Sequence, residues 1–132
     1  MHTKKFKNKY PGAKYYLSFS TPLELLVAAI LSAQVRDEAV NAITPALFEK
    51  YRKAADYADA DLEELVDDIR TISFAGKKAR NIQSACRIIV EKHDGKVPRT
   101  MEELTSLPGV GRKTANTILI NAFNIVKGIP AD

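Results

Sequence analysis

The residue in this sequence best placed to do chemistry is Lys113, and the residues just before it say why. The stretch Leu107-Pro-Gly-Val-Gly-Arg-Lys-Thr-Ala-Asn116 sets two glycines two positions apart and follows them at once with a basic pair. Gly109 and Gly111 permit positive φ and a close approach of bare backbone. A helix that opens just after them starts with unpaired N–H groups and the positive end of its dipole. With Arg112 alongside, that is a phosphate-binding arrangement. At ~100° per residue the apolar set of this helix centres near Leu119 and Ala122, and Lys113 falls roughly 150° away, off the core. There the dipole and Arg112 both disfavour an ammonium and favour the free amine, a nucleophile toward a sugar or carbonyl carbon. On the residues alone two plainer readings stay open: the Gly-x-Gly as a tight interhelical turn, and Lys113 as a simple phosphate contact.

The elements that must position this loop read as helices. Thr21 opens the first, with Pro22 at the first helical position and Glu24 completing a Thr-x-x-Glu capping box. Its run from Leu23 to Leu31 is apolar on nearly every side, which places it centrally in the fold. Asp37 starts a second helix, with Val40, Ile43, Leu47 and Tyr51 at helical spacing. Pro45 is expected to kink or split it, with Thr44 recapping the second piece. Leu62, Leu65, Val66 and Ile69 mark a third helix. Ala79, Ile82, Cys86, Ile89 and Val90 mark a fourth, stopped near Asp94-Gly95. Thr100 and Glu103 cap a short fifth that Pro108 ends, and Ala115, Ile118, Leu119, Ala122 and Phe123 mark a sixth. No segment shows sustained period-two alternation. The expected fold is all-α, one bundle of about six helices after an irregular basic arm over residues 1–20.

Totals bound the function. The chain has 132 residues, 45% hydrophobic and 27% charged, with 20 basic and 16 acidic residues and a net charge of +4. That is one ordinary globular domain, mildly biased toward an anionic partner. The charges cluster. Residues 1–14 carry five lysines and no acid, residues 56–68 seven acids and no base, and residues 77–99 seven bases against two acids. Cys86 is the single cysteine, so the chain forms no internal disulfide and offers no cysteine cluster to zinc or iron–sulfur. Its helical spacing puts it in the core. No signal core or membrane-length apolar run is visible, so a soluble cytoplasmic protein is expected.

The hairpin Leu107 to Ala115 resembles the helix-hairpin-helix of the endonuclease III family of DNA glycosylases. Three further stretches match that family in order: Leu31-Ser-Ala-Gln-Val-Arg-Asp37, Ile72-Ser-Phe-Ala-Gly-Lys-Lys-Ala79 and Gly95-Lys-Val-Pro98. The resemblance runs from about Thr21 to Asp132, with the helix-hairpin-helix at 100–123. It implies a base excision repair enzyme acting on duplex DNA that contains a damaged or abasic site. Lys113 matches the lysine that attacks C1′ of the damaged nucleotide and then supports strand scission by β-elimination. Asp132 matches the carboxylate that stabilises the sugar cation. The resemblance assigns filling of the vacated base position to Gln34 and wedging of the opposite strand to Phe74. It gives phosphate contacts to Gly109, Val110, Gly111, Arg112 and Thr114, and a monovalent cation to the carbonyls of Thr105, Leu107 and Val110.

The chain departs from the family in three places. Ala75 stands where tyrosine is usual, Val35-Arg36 replaces a small polar pair, and no residue follows Asp132, where the family continues into helices and often a four-cysteine [4Fe–4S] cluster. A chain ending there is expected to leave Asp132 poorly ordered, to expose apolar surface, and to self-associate or need a further C-terminal segment. The expected function is a DNA N-glycosylase with apurinic/apyrimidinic lyase chemistry, on an oxidised pyrimidine. A non-catalytic duplex-binding module and a helical interaction domain are the alternatives.

Overall fold

The computed structural model describes residues 17–124. Among them are seven helices: α1 (Pro22–Leu31), α2 (Asp37–Lys50), α3 (Ala54–Ala58), α4 (Leu62–Asp68), α5 (Ala75–Lys92), α6 (Met101–Thr105) and α7 (Arg112–Phe123). Local sequence starts several of them. The Thr21 hydroxyl accepts the Glu24 N–H at 3.1 Å, and Glu24 reaches back to the Ser20 N–H at 2.6 Å. Pro22 fills a first-turn position whose N–H would be unpaired in any residue. Thr100 accepts the Glu103 N–H at 3.1 Å in the same way. Asp61 accepts the Glu64 N–H at 3.2 Å to cap α4. At the far end of α5, Asp94 and Gly95 turn the chain with φ of 56° and 78°, and the Gly95 N–H returns to the Ile89 carbonyl at 2.9 Å.

Packing follows from the apolar faces. Leu25, Leu26, Val27, Ala28 and Leu31 of α1 are all buried, and α1 packs on α2, α5 and α7. The long α5 lies against α3, α4 and α1 and buries Ala79, Ile82, Ala85, Cys86 and Ile89. Burial also decides the state of Cys86, whose thiol is pushed up to about 12 and is chemically quiet. No described helix is long and apolar enough to cross a membrane.

The all-α architecture expected from sequence holds, with four corrections. The bundle has seven described helices rather than six, because α3 was missed; its five residues are too few to display a period. Pro45 does not split α2, which runs through it. Pro45 is exposed while Val40, Leu47 and Phe48 are buried, so packing on either side carries the helix across one missing hydrogen bond. Val90 lies outside the core at 39% exposed, Ile89 taking the inward position. Within the stretch read as an arm, Leu17 and Phe19 are core residues.

Candidate nucleic-acid interface

The turn between α6 and α7 is built from the inside out. Leu107 and Val110 are buried, and the Val110 N–H donates to the Leu107 carbonyl at 3.1 Å. With these two anchors inward, Gly109 and Gly111 are left on the surface. Their roles differ. Gly109 has φ of +85°, and a Cβ there would lie 3.1 Å from the Asn81 Cβ on α5. The fold therefore requires this glycine. Gly111 has an ordinary φ of −94°, and a Cβ there would meet nothing within 4 Å. Of the two glycines read as permitting positive φ, only Gly109 uses it. Nothing inside the described fold accounts for the missing side chain of Gly111; it leaves open surface beside the α7 N-terminus. Val110, expected among the contacts, can present only backbone, because its side chain is in the core.

Helix α7 starts without a side-chain cap and without an acid in its first turn. Among the described residues the N–H groups of Gly111, Arg112, Lys113 and Thr114 have no hydrogen-bond acceptor, and neither do the Thr105 and Val110 carbonyls have a donor. Arg112 and Lys113 are exposed and Thr114 is half-buried. Four free donors, a positive dipole end and two cations form a site for an anion such as phosphate.

Two further exposed residues carry unusual backbone. Gln34 has φ of 59° and Phe74 φ of 62°. Gln34 is the third residue of a turn closed by the Val35 N–H to the Ser32 carbonyl at 3.0 Å, a place that usually takes glycine or asparagine when φ is positive. Phe74 caps α5 from the left-handed region and is 65% exposed, so it is not the core residue that a phenylalanine usually is. Sequence reasoning missed the residue that joins them. Lys78 is 5% exposed, and its ammonium donates to the carbonyls of Leu31 at 2.9 Å and Ala33 at 2.6 Å. Its burial lowers the ammonium's pKa below the ordinary lysine value. The missed signal was periodic: Lys78 lies four residues before Ile82 and eight before Cys86, on the core stripe of α5.

The first two turns of α5 thus serve three loops: Phe74 at the cap, the Gln34 turn through Lys78, and the hairpin through Asn81. From residue 74 to 81 is roughly 10 Å of helix. Lys77 and Arg80 are exposed there, and neither they nor Arg112 and Lys113 have an acidic partner among the described residues. Asp132 lies outside the described residues. The iron–sulfur cluster implied by the family resemblance does not fit the residues present: Cys86 is alone and fully buried, and no described group of three or more His, Cys, Asp or Glu could hold a metal.

Comparison with known proteins agrees with this geometry. Residues 27–129 match the model of the HhH-GPD superfamily base excision DNA repair protein. The endonuclease III of Synechocystis sp. is 53% identical over 126 residues, covering 96% of this chain and 58% of that protein. The endonuclease III of Escherichia coli K12 is 43% identical over 116 residues, covering 88% and 54%. The chain therefore spans little more than half the length of the curated relatives it matches. Among solved structures, a trapped endonuclease III–DNA covalent intermediate superposes with a TM-score of 0.84 at 50% identity, over 87% of this chain and 54% of that one. A thermostable thymine-DNA glycosylase gives a TM-score of 0.75 at 27% identity, over 79% and 48%.

Proposed function

The chain belongs to the HhH-GPD superfamily of base excision DNA repair proteins, in its endonuclease III branch, and from that premise we propose that it is a DNA glycosylase with abasic-site lyase chemistry acting on an oxidised pyrimidine in duplex DNA. The observation that carries this reading is the start of α7, where exposed Lys113 stands beside four unpaired N–H groups. Phosphates of the damaged strand bind those donors and Arg112. The duplex is held, and the target nucleotide leaves the stack. The Lys113 amine forms a bond to C1′ as the N-glycosidic bond breaks, and the base departs with the bonding electron pair. Loss of a proton from nitrogen and ring opening give the Schiff base. Removal of a 2′ proton then expels the 3′ phosphate by β-elimination. Asp132 is assigned the carboxylate that balances positive charge on the sugar as the base leaves. Gln34 occupies the vacated base position and Phe74 stacks into the opposite strand. The Thr105, Leu107 and Val110 carbonyls are assigned a monovalent cation that steadies the loop.

Borohydride reduction in the presence of abasic duplex tests the reading. The wild-type chain becomes covalently linked to DNA; Lys113→Gln is not trapped, while its duplex affinity stays within a few-fold. Equal trapping of the variant removes Lys113 from the chemistry. Salt-sensitive binding with no trapping in the wild-type chain selects the non-catalytic duplex-binding module instead.

A further inference from the structure

We propose that Lys78 is a positioning residue that locks Gln34 and Phe74 into one rigid pair, so that the two side chains enter a damaged duplex together; this rests on the duplex-binding reading above. Residue 78 is bonded at both ends to the neighbourhood of these two side chains. Its N–H donates to the Phe74 carbonyl at 2.9 Å, the first backbone bond of α5. Its ammonium donates to the Ala33 carbonyl, one residue before Gln34, and to the Leu31 carbonyl at the end of α1.

A lysine is a costly choice for this position. Burying an ammonium is unfavourable unless its protons are accepted, and no described carboxylate accepts them. What stabilises the charge is the negative end of the α1 dipole, the Leu31 carbonyl at the end of that helix and the Ala33 carbonyl in the turn that follows it. An apolar side chain would pack on the Ile82 and Cys86 stripe without that desolvation, but would leave the Gln34 turn unattached to α5. The bond is therefore explained by what it holds. Of the four non-glycine residues at positive φ among the described residues, Asp94 and Asn124 are residue types that tolerate it, at helix ends. Gln34 and Phe74 are not such types, are both exposed, and are the two that Lys78 connects. Left-handed backbone in such residues persists only where surrounding structure fixes it.

The test uses the full chain and two duplexes, one undamaged and one carrying a stable abasic-site analogue opposite 2-aminopurine. Lys78→Met keeps the length of the side chain and removes its donors. Its affinity for undamaged duplex stays within a few-fold, because the hairpin is intact. Its preference for the abasic duplex falls roughly tenfold, the scale of one lost base–aromatic stack, and the 2-aminopurine emission that reports unstacking falls with it. A preference unchanged in Lys78→Met overturns the proposal. No preference in the wild-type chain overturns the reading beneath it and the proposal together. If Lys78→Met does not fold, the cycle of Gln34→Ala, Phe74→Ala and the double variant decides. A locked pair makes the two losses non-additive, and simple additivity overturns the proposal.

Discussion

Helices α4 and α7 both begin among charged residues, and the chain answers those charges in opposite ways. At α4 the carboxylates of Asp61, Glu64 and Asp68 are used internally. Asp61 caps the helix, Glu63 and Glu64 lie in its first turn, and Lys50 bridges Glu64 and Asp68. The hydrogen bonds that the Lys50 ammonium donates to Glu64 and then to Asp68 raise its pKa above the ordinary lysine value. The Tyr51 hydroxyl donates to Asp68 at 2.6 Å. At α7 the cap is a glycine, the first turn holds Arg112 and Lys113, and the N–H groups have no acceptor among the described residues. Five of the seven described helices carry an acid in the first turn, and only α5 and α7 carry bases there instead. Acids at a helix start stabilise it by about 0.3–1 kcal/mol, and cations oppose it. The two exceptions are the two helix starts that carry the candidate interface. The acidic start of α4 is answered within the fold; the basic start of α7 leaves N–H donors with no acceptor among the described residues.

The sharpest way to break this comparison is to give α7 the start that α4 has. Arg112→Glu removes a charge-assisted contact worth about 1.5–3 kcal/mol. Duplex affinity should fall roughly tenfold to a hundredfold, and its salt dependence should become shallower. Folding stability should rise by up to ~1 kcal/mol in denaturant titration. Unaltered affinity alongside a more stable fold would mean that DNA does not sit at α7. The next effect separates the two glycines. Gly109→Ala should cost about 1–2 kcal/mol of stability, because φ is +85° and Asn81 is in the way. Gly111→Ala should leave stability within ~0.5 kcal/mol and weaken binding to all duplex sequences alike. Loss confined to damaged duplex would contradict the phosphate role of Gly111. The smallest effect lies at the acidic starts. Thr100→Ala should lose about 1 kcal/mol of stability, the value of a cap, with duplex affinity unchanged; a matching fall in affinity would blur the distinction between the two kinds of helix start.

What could be read from sequence was whatever the local chain decides. Thr21 and Thr100 fix caps within four residues, and both threonine caps formed; the full boxes did not, since Glu24 accepts the Ser20 N–H and Glu103 the Thr100 hydroxyl rather than the cap N–H. The hairpin is likewise a local signal, carried by Pro108, two glycines and a basic pair. What failed to show depends on neighbours far along the chain. Helix α3 exists because Ala54, Tyr57 and Ala58 find α5, not because five residues prefer a helix. Gly109 and Gly111 look alike in sequence and differ only because Asn81 stands beside one of them. Lys78 looks like half of an exposed lysine pair, and its role appears only when α1 ends against α5, forty-seven residues away in the chain. The exposure of Phe74 was equally hidden, since a phenylalanine in a short apolar run is ordinarily inward-facing.

Cys86 has a use that has nothing to do with DNA. Its sulfur is fully buried and its thiol pushed up to about 12, so at neutral pH a soluble thiol reagent meets neither an accessible nor an ionised target. Any modification must wait for the core to open around α5, and its rate becomes a clock for that opening. The same silence leaves the native surface, among the described residues, free of competing thiols. One cysteine introduced at residue 34 or 74 can then carry a single dye, which reports, one molecule at a time, whether and when a duplex reaches that position.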